Sequence, residues 1–211
     1  MHHPPVPGEI PYLQDGPVDA TRTLILAHGA GAPMDSTFMQ SFAEGIGLHG
    51  IRVVRFEFSY MRARRDSGSR RPPDREPVLL EAWRQAYRQL SAGQTWIGGK
   101  SMGGRMASLV ADELGVAGLV CLGFPFHAPG KPPGARIAHL ATLASPALIV
   151  QGTRDPFGPL ADVSGYDLSD TIALHWIQDG DHDLVPRKAS GRTLEQNWAE
   201  GIAAAAHFIL A

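Results

Sequence analysis

The chain has 211 residues, of which 44% are hydrophobic and 19% charged, with a formal net charge of −2. That is enough chain for one sizeable core, and the composition is not that of a disordered polymer. The near-neutral balance gives no electrostatic reason to expect nucleic acid or an anionic membrane as partner. The single cysteine, Cys121, cannot staple a fold; it lies in the apolar run 118–122 with no cation beside it and reads as a core residue in a reducing compartment. Residues 1–8 lack the apolar segment of a secretion signal, and no stretch approaches the ~20 apolar residues of a membrane span, so a soluble, cytoplasmic protein is expected.

In chain order, residues 23–27, 51–58, 95–97, 118–122, 146–150 and 171–177 are short apolar or β-branched runs and predict six strands. Helical spacing falls between them. Phe38, Phe42 and Ile46 recur every four residues before Gly50. Pro77 suits a first helical position ahead of Leu79, Trp83, Ala86 and Leu90. Met106, Leu109, Val110 and Leu114 mark a third helix. Thr193 and Gln196 form a capping box ahead of Trp198, Ile202 and Ile209. Strands alternating with helices predict an α/β fold, a doubly wound, mostly parallel sheet with helices on both faces, in a single domain over 1–211. The Arg-rich segment 61–77 and the Pro/Gly-rich segment 124–136 read as irregular, and neither is long enough for a cap domain.

Gly99-Lys100-Ser101-Met102-Gly103 fits G-x-S-x-G. It follows a predicted strand and opens a predicted helix, the setting that puts a nucleophilic serine on a sharp, exposed turn. The same residues could end a phosphate-binding G-x-x-x-x-G-K-[ST] loop, but the first glycine of that motif would fall on Gln94 and the intervening residues are the strand itself. An acyl-transfer site also needs two backbone N–H groups aimed at the developing oxyanion. Met102, after the nucleophile, supplies one. Ala30, in the turn His28-Gly29-Ala30-Gly31 after the first strong strand, supplies the other. His28 reads as a structural hydrogen-bonding residue.

Asp155 follows the strand at 146–150, and His182 follows the strand at 171–177. Both therefore fall at the C-terminal sheet edge, where doubly wound folds bind ligands. His182 is the candidate base and Asp155 the acid that orients it. Asp181 and Asp183 flank His182, but neighbours on a turn point elsewhere. A metal site at Asp181, His182 and Asp183 lacks a second histidine at suitable spacing. His127 reads as a pocket or surface histidine. No cofactor and no metal is expected.

Together these residues resemble the α/β-hydrolase superfamily, nearest to its compact, lid-poor branch near the dienelactone hydrolases. The segments Phe56-Glu57-Phe58, 70–75, 123–127, 152–158 and 180–183 look more specifically like a hydrolase-like group that also contains testis-expressed proteins and a chromatin-complex subunit. The resemblance spans residue 23 to the C-terminus, and its catalytic positions fall on Ser101, Asp155 and His182 in that order. Dienelactone hydrolases carry a cysteine nucleophile, whereas this chain has serine. The resemblance implies a serine hydrolase of small esters or thioesters with a small-molecule acyl substrate as partner. The alternative is a non-catalytic protein of this fold that binds a partner or small ligand. Glu57 and Lys100 read as a structural salt bridge near the cleft, ahead of a role in selecting a polar substrate, and the Arg62, Arg64, Arg65, Arg70, Arg71 and Arg75 segment as a solvated charged loop, ahead of one that attracts an anionic substrate.

Overall fold

The computed structural model describes residues 10–69, 71–132 and 134–211; the N-terminal stretch read for a targeting signal and Arg70 lie outside them. Among the described residues seven strands form one sheet: β1 (Tyr12–Asp15), β2 (Arg22–Ala27), β3 (Arg52–Phe56), β4 (Gln94–Lys100), β5 (Gly118–Leu122), β6 (Ala147–Gly152) and β7 (Ile172–Ile177). Their order is β1-β3-β2-β4-β5-β6-β7. All neighbours run parallel except the β1–β3 edge pair, which is antiparallel.

The helices are α1 (Thr37–Gly47), α2 (Ser59–Ser67), α3 (Glu76–Leu90), α4 (Met102–Ser108), α5 (Ala111–Leu114), α6 (Leu160–Val163) and α7 (Leu194–Leu210). Side-chain alternation sorts the strands' residues between two cores. Ile25 and Ala27 of β2 join Trp83 of α3 and Met106 of α4 on one face. Leu24 and Leu26 join Phe38 and Phe42 of α1 and Ile209 of α7 on the other. Both faces of the central strands are thus covered, which explains their near-continuous apolar runs. The predicted doubly wound sheet is the fold observed. The Thr193 capping box opens α7 as read: the Thr193 Oγ1 accepts from the Gln196 N–H at 3.2 Å, and the Gln196 Oε1 accepts from the Thr193 N–H at 3.0 Å.

Four local readings need correction. The edge strand β1 was not among the six expected, because four half-buried residues carry too short an alternation to register. The Arg-rich segment is not wholly irregular: α2 occupies its first half. Only Tyr60 and Met61 of that helix are buried, so it has no apolar stripe to read. The third helix breaks into α4 and α5. The Ser108 hydroxyl donates to the Arg105 carbonyl at 2.7 Å, a local bond that competes with helix propagation. β3 ends at Phe56, two residues early, where the Phe58 N–H leaves the ladder for the His28 ring.

The topology dictates where a site can lie. β2 neighbours both β3 and β4, so the chain leaves β2 in one direction and returns on the other side. The loops after β2 and β4 diverge there and leave a crevice at the strands' C-terminal ends.

The segment after β7 is tied back by Asp179. Its carboxylate accepts from the Arg187 backbone N–H at 2.7 Å and from the Arg187 guanidinium, and it lies 3.0 Å from the Arg154 Nε. These hydrogen bonds, Arg187 first, pull the Asp179 carboxyl down to about 2, from an ordinary 3.8. A depressed carboxyl contributes stability that is present above the unfolded value and lost as pH falls through the folded one. Asp179→Asn is therefore predicted to lower the Tm at pH 7. The difference from wild type should shrink as pH is taken from about 4 to about 2 in a thermal-melt series. A constant difference across that range would remove Asp179 from the acid-labile set.

Candidate active site

β4 hands directly into α4 through Ser101, whose backbone lies at φ 51°, ψ −116°. A positive φ at a non-glycine residue is held only where its surroundings impose it. Here the Ser101 N–H donates to the Leu122 carbonyl of β5, and the Ser101 carbonyl accepts from the Arg105 N–H, both at 3.0 Å. Gly103 allows α4 to press against β2: a Cβ there would lie 2.4 Å from the Ala27 carbonyl oxygen and 2.6 Å from that of His28. The elbow read from the sequence is thus present as a strand–turn–helix.

The structure brings Ser101, His182 and Asp155 into one chain of hydrogen bonds. Ser101 Oγ is 2.9 Å from His182 Nε2, and His182 Nδ1 is 2.8 Å from Asp155 Oδ2. One tautomer satisfies both contacts: Nδ1–H donates to the carboxylate and Nε2 accepts from the serine hydroxyl. Asp155 is fully buried. Its Oδ1 accepts from the Phe157 N–H at 2.8 Å and its Oδ2 from the Gln151 amide at 2.9 Å. The Phe157 ring also lies 4.4 Å from the imidazole, centroid to centroid.

Gln151 is a site residue that the sequence reading missed. Its Nε2 also donates to the carbonyls of Phe124 and Gly158, and its Oε1 accepts from the Phe124 N–H at 2.7 Å. The available signal was a polar residue continuing an otherwise apolar strand run, at the end that carries the site.

The expected Glu57–Lys100 pair does not form. Lys100 Nζ donates to the His182 carbonyl at 2.5 Å and lies 3.1 Å from the Asp183 carboxylate. Glu57 is paired instead with Arg65 of α2 at 2.8 Å. Parallel strands β4 and β7 place Lys100 and His182 at the same edge, whereas Arg65 stands beside the end of β3. Burial pushes the Lys100 ammonium down, against the opposing pull of Asp183. Asp183 is thereby committed to Lys100. Asp181 Oδ1 accepts from the N–H groups of Asp183 and Val185 and so caps its own turn. Neither contacts the imidazole of His182 through a hydrogen bond. Among the described residues no cluster of three or more His, Cys, Asp or Glu side chains is arranged to hold a metal.

His28, His127 and His139 have structural partners. His28 Nδ1 donates to the Gly29 carbonyl at 2.7 Å, and its Nε2 accepts from the Phe58 N–H at 3.1 Å. Burial holds the His28 imidazole low, so it stays neutral in this role. His127 Nε2 lies 3.1 Å from Asp162, away from Ser101. A second serine–histidine contact, Ser108 Oγ to His139 Nε2 at 2.8 Å, sits at the end of α4. Its nearby carboxylate, Asp112, is bonded to Ser145 and the Ala144 N–H rather than to His139, and Ser108 is buried outside the cleft. Cys121 is fully buried on β5, which pushes its thiol up.

Ser101 and His182 open into a cleft of about 330 Å³ lined by Ala30, Ala32, Phe38, Met39, Phe157 and Lys100, among others. Among the described residues neither the Ala30 nor the Met102 amide has a hydrogen-bond acceptor within the protein. For Met102 the reason is positional: it is the first residue of α4, where N–H groups have no intrahelical partner. No described helix is long and apolar enough to cross a membrane.

Among the solved structures that share this architecture are the following three. An alpha-beta serine hydrolase homologue from Coxiella burnetii is 22% identical with a TM-score of 0.68, over 93% of this chain and 92% of that one. A serine hydrolase without a lid from Xanthomonas campestris is 19% identical with a TM-score of 0.69, over 95% and 88%. A dienelactone hydrolase from Anabaena variabilis is 18% identical with a TM-score of 0.69, over 95% and 91%. At these identities the likeness is one of fold. The family model for the alpha/beta hydrolase domain matches residues 20–210. The chain belongs to the alpha/beta-hydrolase family.

Proposed function

We propose that this protein is a serine hydrolase of small esters or thioesters. The observation that carries the reading is the Ser101–His182–Asp155 relay, with contacts of 2.9 and 2.8 Å, standing on a strained elbow. Ser101 Oγ attacks the substrate carbonyl carbon while His182 Nε2 takes its proton. Asp155 holds the tautomer and stabilises the imidazolium. The tetrahedral oxyanion is received by the N–H groups of Ala30 and Met102. Collapse expels the alcohol or thiol, which receives the proton from His182, and leaves an acyl-Ser101. Water, deprotonated by His182, attacks this ester; the acid product leaves and Ser101 recovers its proton. The cycle consumes water and needs no cofactor.

The cleft supports a substrate range. Its walls include the apolar side chains of Phe38, Met39 and Phe157, and at about 330 Å³ it lies at the lower end of ligand-pocket sizes. The Xanthomonas neighbour is a serine hydrolase without a lid, and others are a dienelactone hydrolase and an esterase domain, which supports an ester-type substrate. We assign to this chain a preference for short or medium acyl groups, in a cytoplasmic setting. Its grouping with testis-expressed and chromatin-subunit relatives rests on the segments named above.

Ser101→Ala is predicted to abolish fluorophosphonate labelling and to cut hydrolysis of an activated short-chain ester by at least ~10³-fold, with an unchanged circular dichroism spectrum. Wild-type protein that neither labels nor turns over would instead favour a binding protein on this fold. Asp155→Asn should lower kcat by ~10³–10⁴-fold, whereas Asp183→Asn, which removes only the partner of Lys100, should cost far less. Equal losses in the two variants would misassign the acid. Across acyl chain lengths, kcat/KM should peak at short or medium chains, with no interfacial activation on emulsified long-chain substrate.

A further inference from the structure

The loop Gly29-Ala30-Gly31 has glycine on both sides of its central residue and so little intrinsic preference for one conformation. An oxyanion hole must nevertheless be rigid before the reaction, because donors that reorient during it lose most of their effect. Something outside the loop has to hold it.

The holding contacts are made to its carbonyls. Tyr60 Oη donates to the Gly29 oxygen at 3.3 Å and to the Ala30 oxygen at 3.2 Å, sharing its proton between them. Arg64 Nη1 donates to the Ala30 oxygen at 3.2 Å, and His28 Nδ1 to the Gly29 oxygen at 2.7 Å. In a trans peptide the C=O and the following N–H point in opposite directions. Fixing the Gly29 carbonyl toward α2 therefore turns the Ala30 N–H away from α2, and fixing the Ala30 carbonyl does the same for Gly31. Ala30 and Gly31 both line the Ser101 cleft. We propose that Tyr60 and Arg64, one turn apart on α2, are positioning residues that preset the oxyanion hole by anchoring the Gly29 and Ala30 carbonyls. The proposal rests on the hydrolase reading above.

α2 is itself anchored well enough to serve. At its start the Asp74 carboxylate accepts from the Ser59 hydroxyl at 2.7 Å and from the Tyr60 N–H at 3.2 Å. At its other end Arg65 bridges Asp35 and the buried Glu57 at 2.9 and 2.8 Å. The Arg64 guanidinium lies 5.1 Å from the Tyr60 ring centroid, and its Nε donates to the Arg71 carbonyl at 2.5 Å. Arg64 and Arg65 are thus occupied by the loop and its supports rather than free to attract an anionic substrate. The Tyr60 phenol, pushed up by burial, remains a donor at every working pH.

The test uses the full chain labelled with ¹⁵N, in wild type, Tyr60→Phe, Arg64→Gln and Arg64→Lys, followed by ¹⁵N relaxation and by hydrolysis of a short-chain p-nitrophenyl ester. Tyr60→Phe keeps the ring and removes only the donor. Expected is a fall in the backbone order parameters of Ala30 and Gly31, from a rigid ~0.85 toward ~0.6, in Tyr60→Phe and Arg64→Gln, with that of Met102 unchanged. In the same two variants kcat should fall about ten-fold at nearly constant KM, less than the loss of a whole oxyanion donor. Arg64→Lys, which retains a cationic donor, should recover most of both effects. Unchanged order parameters at Ala30 and Gly31 overturn the proposal, and so does a loosened loop with unaltered kcat. A loosened loop in a protein whose wild type neither hydrolyses the ester nor labels at Ser101 supports the anchoring and overturns the hydrolase reading.

Discussion

Ser101 sits at a positive φ, and this single backbone choice organises the rest of the molecule. A residue in a sparsely populated conformation costs about 1–3 kcal/mol and persists only if its neighbours over-determine it. Here they do. β4 is paired on both sides, with β2 as far as Gly99 and with β5 as far as Lys100, the residue before the turn. Leu122 and Arg105 then take the two backbone groups of Ser101. The close approach of α4 to β2 at Gly103 leaves no room for the turn to relax toward an ordinary helical entry.

The two halves of the site are held by different physics. The acid side is dry and buried. Asp155 and Gln151 have no exposed surface, and their polar atoms are satisfied by each other, by backbone groups and by His182. A buried polar network that is fully paired is rigid, because every alternative arrangement leaves a group unsatisfied. The side formed by residues 29–31, proposed to receive the oxyanion, is a glycine-rich loop with no such internal network. Its order is borrowed from α2, a helix with little apolar burial of its own that is fastened by ion pairs and side-chain-to-carbonyl bonds.

Much of this was legible in the sequence, for a geometric reason. In a parallel sheet every strand delivers its C-terminal end to the same edge, so residues just past strands 95–97, 146–150 and 171–177 were bound to converge. Ser101, Asp155 and His182 are such residues, and they meet. Long apolar runs and the Thr193 capping box likewise announce themselves locally. What stayed hidden depends on proximity in space rather than along the chain. The partner of Glu57 is Arg65 rather than Lys100, and no spacing rule distinguishes the two cations. α2 lacks an apolar period because it buries only Tyr60 and Met61. Gln151 gains its role from a loop that returns from Phe124, a contact 27 residues away.

Cys121 faces the elbow from β5. It pairs in register with Gly99, its Sγ lies 3.6 Å from the Gly104 carbonyl, and a Cβ on Gly104 would come within 3.1 Å of it. The thiol therefore cannot meet solvent unless α4 lifts from the sheet. A maleimide or disulfide reagent will modify the chain only through that opening, which makes Cys121 a built-in reporter. Its labelling rate measures how often the Ser101 turn comes apart.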